Sequence, residues 1–223
     1  MVGFCFGVVM TPVLVKYPNI TVDEVAEYFG HPAMIFCVVL LVVVVAETKR
    51  GRCVALSYGE RHLARWYLLN GVVIHILMDG LVGVFKANRL LAENYAKLDK
   101  RYGEDIGSFN GSVVHLVSAI ELVVKGPICL LLYRAYHRNS PNRDALEFFT
   151  CITQVYGTVV YLGQEAISGA PNLDVDYGLT FSAHYLLYFW FAVVFGSVLY
   201  AAVPAYLGWR AYCRLVLSSA KRR

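Results

Sequence analysis

The sequence predicts an all-α, polytopic membrane protein: a bundle of five transmembrane helices around an intramembrane ligand cavity. Composition is the first reason. Of the 223 residues, 58% are hydrophobic and 16% charged, with a mean hydropathy of +0.53, whereas a soluble domain carries about a quarter charged residues. Length is the second, because this chain accommodates about five spans of roughly 20 residues with short connections and no separate soluble domain. The third is that His75, Asp79 and Glu121 fall inside apolar runs. Isolating an ionisable side chain from water costs several kcal/mol unless it has a partner or a wet cavity, roughly the penalty for any unpaired charge in lipid.

Residues 1–29 read as a leader, apolar and then polar. The run 2–15 is interrupted by Pro12 and ended by Lys16-Tyr17-Pro18-Asn19. It is short for a span and has no basic segment before it, so it is expected to be partly inserted or to lie on the surface. A transmembrane domain follows over residues 30–209, with spans predicted at about 30–46, 66–85, 113–133, 145–163 and 179–207. The first stops at Glu47-Thr48-Lys49-Arg50 and suits a thin bilayer. Tyr185, Tyr188, Trp190, Tyr206 and Trp209 on the last suit interfacial belts. Between the second and third spans, residues 86–105 carry too many charges to cross lipid, and Leu90, Leu91 and Leu98 give them an amphipathic helix for the membrane surface. Residues 210–223 form a basic cytosolic tail.

Lysine and arginine cluster after the first span (Lys49, Arg50, Arg52, Arg61, Arg65), after the third (Arg134, Arg138, Arg143) and in the tail, which puts these three regions in the cytosol. The connection with Glu165, Asp174 and Asp176 has no basic residue and fits the lumen. A formal charge of +4 spread in this way makes nucleic acid an unexpected partner. The six cysteines are scattered without Cys-x-x-Cys or a His spacing suited to a metal, and read as buried small hydrophobes. Asn19-Ile20-Thr21 and Asn110-Gly111-Ser112 match the glycosylation sequon.

His75 and Asp79 are four apart and so share a helix face, where a carboxylate orients an imidazole and raises its proton affinity. Such a pair either shuttles a proton or glues helices together. On the third span His115, Ser118, Glu121 and Lys125 form a second polar stripe. Glu121 and Lys125 stand in the favourable order for an ion pair, leaving a structural salt bridge open, with Lys125 also free to snorkel. Gln154, Tyr156, Thr158 and Tyr161, with Glu165 after them, make a polar aromatic face on the fourth span; Ser197 and Tyr200 are three apart on the fifth. Aromatic faces stabilise a cation or pack a rigid ligand, or simply fill a helix interface.

The stretch Asn70-Gly71-Val72-Val73-Ile74-His75-Ile76-Leu77-Met78-Asp79-Gly80, followed by Tyr95-Ala96-Lys97-Leu98-Asp99-Lys100-Arg101-Tyr102, resembles the emopamil-binding protein family. So do Gly126-Pro127, Gln154-Val155-Tyr156-Gly157, and Tyr188-Phe189-Trp190-Phe191 with Pro204, in the same order from about residue 30 to 209. The resemblance implies a five-helix protein of the endoplasmic reticulum membrane, often dimeric, which moves a sterol double bond from position 8 to 7. It also implies cationic amphiphilic drugs as ligands. The implied mechanism protonates the alkene, passes through a tertiary carbocation and removes a neighbouring proton, without metal or other cofactor.

By this resemblance His75 falls on the family's intramembrane histidine and Asp79 on its glutamate. Counting back from Gly126-Pro127, the family's third-span glutamate falls on Ser118 and its threonine on Glu121, so the carboxylate has moved by one turn, about 5 Å along the axis. The family's fifth-span asparagine and tryptophan fall on Ser197 and Tyr200. The expected catalytic set is His75, Asp79 and Glu121. The expected substrate contacts are Ser118, Tyr102, Tyr156, Thr158, Glu165, Ser197 and Tyr200, with Tyr200 near the cation. A silent binder of sterols or cationic amphiphiles, and a terpenoid isomerase or cyclase, are the other readings, since fold does not fix chemistry.

Overall fold

A computed structural model describes residues 2–173 and 181–220, and it is α-helical throughout, with no strand among the described residues. We label the helices α1 (Val2–Lys16), α2 (Val22–Gly30), α3 (Pro32–Lys49), α4 (Tyr58–Val84), α5 (Arg89–Leu98), α6 (Gly111–Arg138), α7 (Arg143–Ser168) and α8 (Leu186–Ser218). Five of them, α3, α4, α6, α7 and α8, are long and apolar enough to cross a membrane, so the chain is a multi-pass membrane protein. The chain divides into two compact units, residues 1–138 and 139–223.

In the first unit α4 is the central element and touches α1, α3, α5 and α6. It begins two turns before the predicted second span, because Ser57 and Glu60 form a capping box that starts the helix within the charged segment. The apolar α1 packs along α4 and α5, and the Tyr28 hydroxyl of α2 donates to the Val9 carbonyl at 2.7 Å. Helix α3 is capped by His31, whose Nδ1 accepts from Ala33 N–H at 3.2 Å, and it presents Ile35, Phe36, Val38, Val39, Val42 and Val43 outward. That apolar outer face is what lipid requires.

Two glycines let α4 and α6 approach closely. A Cβ at Gly71 would stand 2.8 Å from Cys129 Cβ and 3.1 Å from the Gly126 carbonyl oxygen; one at Gly126 would stand 2.7 Å from Ile76 Cγ1. Small residues at such crossings bring backbones together where lipid supplies no hydrophobic drive. Both helices are widened near this crossing to π-type turns, over Asn70–Val84 and Glu121–Lys125. Such widening recurs at functional sites.

The predicted surface segment is helical over α5, with Leu91 buried and its first turn capped by Asn88. It ends in a single tight turn, Lys100–Gly103, locked by a buried bidentate pair: Arg101 Nη2 reaches Asp99 Oδ2 at 2.6 Å and Arg101 Nε reaches Asp99 Oδ1 at 2.9 Å. Asp99 also accepts from the Arg101 backbone N–H.

The second unit is built on α7 and α8, packed along their length. Arg214 near the end of α8 reaches Asp144 at 2.8 Å and also Glu147, both on the first turns of α7, so the helices run antiparallel. Pro204 lies inside α8 and offers no N–H to the Tyr200 carbonyl one turn earlier. The Thr158 hydroxyl on α7 lies 3.3 Å from that carbonyl and 2.9 Å from its own Gln154 carbonyl. The helical backbone continues past the apolar span of α8 to Ala220, taking in residues 210–220 of the predicted basic tail. The predicted start of the last span at 179, the acidic Asp174 and Asp176, and the terminal Lys221-Arg222-Arg223 lie outside the described residues.

Candidate active site

The crossing of α4 and α6 assembles three of the predicted groups. His75 is fully buried and Asp79 6% exposed. The His75 Nδ1 atom stands 3.3 Å from Asp79 Oδ2 and 3.3 Å from Glu121 Oε2. On the other side of the ring Nε2 lies 3.0 Å from Asn70 Nδ2. An amide nitrogen only donates, so Nε2 accepts and the imidazole proton sits on Nδ1, directed between the two carboxylates.

Each carboxylate has a distinct second partner. Tyr95 on α5 donates its hydroxyl to Asp79 Oδ1 at 2.8 Å, and its ring stacks on Tyr102 with centroids 4.2 Å apart. Lys125, one turn along α6, donates to Glu121 Oε1 at 2.8 Å. The Asp99–Arg101 lock positions Tyr102, whose hydroxyl lies 3.4 Å from Ser118 Oγ and whose carbonyl accepts from Lys86 Nζ. Burial above all, reinforced by the nearby Asp79 charge, pushes the Tyr95 and Tyr102 phenols well above their ordinary range, so both remain hydroxyls that donate and accept.

The expected shuttle His75–Asp79 and the expected third member Glu121 therefore meet in one cluster. Ser118 is buried one turn away and faces Tyr102, not the imidazole. Lys125 does not snorkel: it is 5% exposed and forms the ion pair that its spacing allowed. His115 is buried, with Nδ1 2.6 Å from the Gly111 carbonyl, which fixes it as a donor to the helix backbone.

The remaining predicted contacts belong to the second unit. Thr158 covers the Tyr200 carbonyl as described. Glu165 is buried and accepts from the backbone and side-chain nitrogens of Asn172 at 3.2 and 2.9 Å, closing the turn after α7 that Gly169 opens with φ 84°. Tyr156 is 70% exposed, and Ser197 and the Tyr200 side chain are half-buried.

Asn70, Tyr95 and Lys125 complete the cluster, and none was expected as a functional residue. Asn70 is five residues from His75, a spacing that pairs only in a widened helix. Tyr95 comes from the surface segment. Lys125 was visible as an ion-pair candidate by its i,i+4 distance from Glu121.

One donor atom from each of His75, Asp79 and Glu121 lies within 4.8 Å of the others, a separation that would suit a metal ion. The hydrogen bonds oppose that use. A metal on Nδ1 would need the ring proton on Nε2, against the Asn70 amide donor, and would compete with Lys125 for Glu121. The arrangement suits proton transfer: a buried imidazole N–H reaching two carboxylates, one steadied by a phenol and the other by an ammonium.

Comparison with known proteins places the chain in a family. Residues 92–211 match the model of the EBP family, EXPERA (EXPanded EBP superfamily). The chain is 24% identical over 176 residues to the 3-beta-hydroxysteroid-Delta(8),Delta(7)-isomerase of Mus musculus, covering 75% of this chain and 70% of that protein. It is 25% identical to the Cavia porcellus protein of the same name, covering 75% and 71%. To the protoglabretal synthase of Citrus sinensis it is 30% identical over 131 residues, covering 55% and 59%. The family match spans more than half of the chain and includes Tyr95, Tyr102, Ser118, Glu121 and Lys125. The chain belongs to the EXPERA family, the expanded superfamily of the emopamil-binding protein.

Proposed function

We propose that this protein is an isomerase that moves a ring double bond of a sterol from position 8 to position 7, working in the endoplasmic reticulum membrane without metal or redox cofactor. The observation that carries this reading is the buried His75 Nδ1 atom, 3.3 Å from a carboxylate oxygen of Asp79 and 3.3 Å from one of Glu121, where two membrane-spanning helices cross. Two similarly named relatives support it. Alkene protonation needs an acid stronger than an ammonium, and Glu121 in its ion pair has no proton to give. Asp79, entering the cycle as the neutral carboxylic acid with its Oδ1 steadied by the Tyr95 hydroxyl, is the donor to the ring carbon and is left as the carboxylate. The tertiary carbocation that results is offset by the Asp79 and Glu121 negative charges, close by in low dielectric. Loss of the neighbouring proton to the carboxylate–imidazole cluster restores the starting charges, so the reaction is redox-neutral. Cationic amphiphiles bind by presenting an ammonium where the carbocation forms.

A non-catalytic binder is the second reading, favoured by the Glu121–Lys125 ion pair, which occupies a carboxylate oxygen that a dedicated acid would leave free. The experiment that separates them is conversion of an 8-ene sterol to its 7-ene isomer by membranes of a yeast strain lacking its own isomerase and expressing this chain. Product establishes the isomerase. Its absence from well-expressed protein that still binds the sterol establishes the binder.

A further inference from the structure

Lys125 is a cation held out of water in the middle of the span Gly111–Arg138, 5% exposed. An ammonium has three N–H donors. One reaches Glu121 Oε1 at 2.8 Å, and among the described residues no other acceptor lies on the remaining two. Lipid offers no water to satisfy them, and a lysine whose only task was a helix-surface salt bridge would extend toward the interface. Glu121, the partner of Lys125, is the most open member of the cluster, its side chain 16% exposed against 1% for His75 and 8% for Asp79.

We propose that Lys125 forms an oxygen-binding subsite, its free N–H donors holding a ketone or hydroxyl oxygen carried on the ligand's ring framework close to the reacting bond. This rests on the sterol reading above and narrows its substrate class to oxygenated sterols or triterpenoids. An ammonium repels a ligand's cationic head at this position and attracts a lone pair, so the subsite discriminates by an acceptor and not by charge. A site built around a hydrogen-bonding group rejects the analogue lacking its partner, because the buried donors are then left unmet.

The test uses the purified full chain in nanodiscs and a parent 8-ene 3β-hydroxysterol, compared with analogues that carry a ring ketone at carbon 7, 11 or 15. The expected result is that at least one ketone binds about tenfold or more tighter than the parent, the usual order for satisfying a buried charged donor. Lys125→Met should collapse that ratio to about one, while Lys125→Arg retains a preference. Because Lys125→Met leaves Glu121 without its counter-charge, the double variant Lys125→Met/Glu121→Gln, which removes both charges together, is measured beside it. Equal binding of all ketones and the parent to the wild type, with water filling the subsite, would overturn the proposal. So would a ketone preference that survives both variants. Absence of turnover in yeast leaves this comparison intact, whereas failure of the parent sterol itself to bind overturns the sterol reading and the subsite together.

Discussion

Replacing Glu121 by Gln should cost the fold more than replacing Asp79 by Asn, although both carboxylates flank the same imidazole and Glu121 is the more open of the two. Asp79→Asn keeps an oxygen for the Tyr95 hydroxyl, now at 2.8 Å from Oδ1, and turns its new N–H toward the His75 Nδ1 proton. That donor–donor conflict costs about 1–3 kcal/mol. Glu121→Gln instead removes the counter-charge from Lys125, which is 5% exposed and has its one described acceptor 2.8 Å away. Stranding a buried charge costs about 3–5 kcal/mol. The difference, about 2 kcal/mol, corresponds to a midpoint lower by about 4–8 °C for a chain of this size. Thermal unfolding of both variants in one detergent, at fixed lipid, measures it. Adding Lys125→Met to Glu121→Gln should recover most of the loss. Midpoints that coincide, or fall in the reverse order, would refute the buried ion pair and the charge assignments built on it.

Asp79→Asn should lower 8-ene to 7-ene turnover by about 100-fold or more at equal protein level, the usual contribution of a positioned proton donor; activity within a few-fold of wild type would remove Asp79 from the acid role. Gly126→Val should destabilise the first unit strongly, since even a Cβ there lies 2.7 Å from Ile76 Cγ1; limited proteolysis of membranes would show it as faster cleavage, and unchanged protection would argue against the close crossing. Thr158→Val should weaken the second unit by up to about 1 kcal/mol, the scale of an interhelical hydrogen bond in lipid, because the Tyr200 carbonyl, to which Pro204 offers no N–H, loses the Thr158 hydroxyl. Hydrogen exchange near Tyr200 would report it.

Much of the membrane architecture was legible because apolar runs must match a bilayer, and the cores of all five spans fall within the helices now described. The ends were less so. Helix α4 starts among Tyr58, Glu60 and Arg61 because a capping box outweighs the charges there, and α8 continues through residues that read as a tail. In the site, His75 and Asp79 announced themselves by helical spacing within one run, and Glu121 by its place in another. Asn70 gave no signal because its pairing with His75 depends on a helix widened by one residue per turn, which no side-chain period marks. Tyr95 could not be placed on Asp79 from the sequence, since the return of α5 against α4 is a tertiary event. The contact of Ser118 with Tyr102, itself fixed by the Asp99–Arg101 lock, was hidden for a similar reason.

The equal 3.3 Å separations about His75 Nδ1 make one N–H common to two acceptors. On the isomerase reading proposed above, the cluster hastens the forward and the backward shift alike, as every catalyst must, and the preferred position of the double bond rests with the relative strain of the two olefins. Net flow is then set by whatever removes one isomer from the membrane.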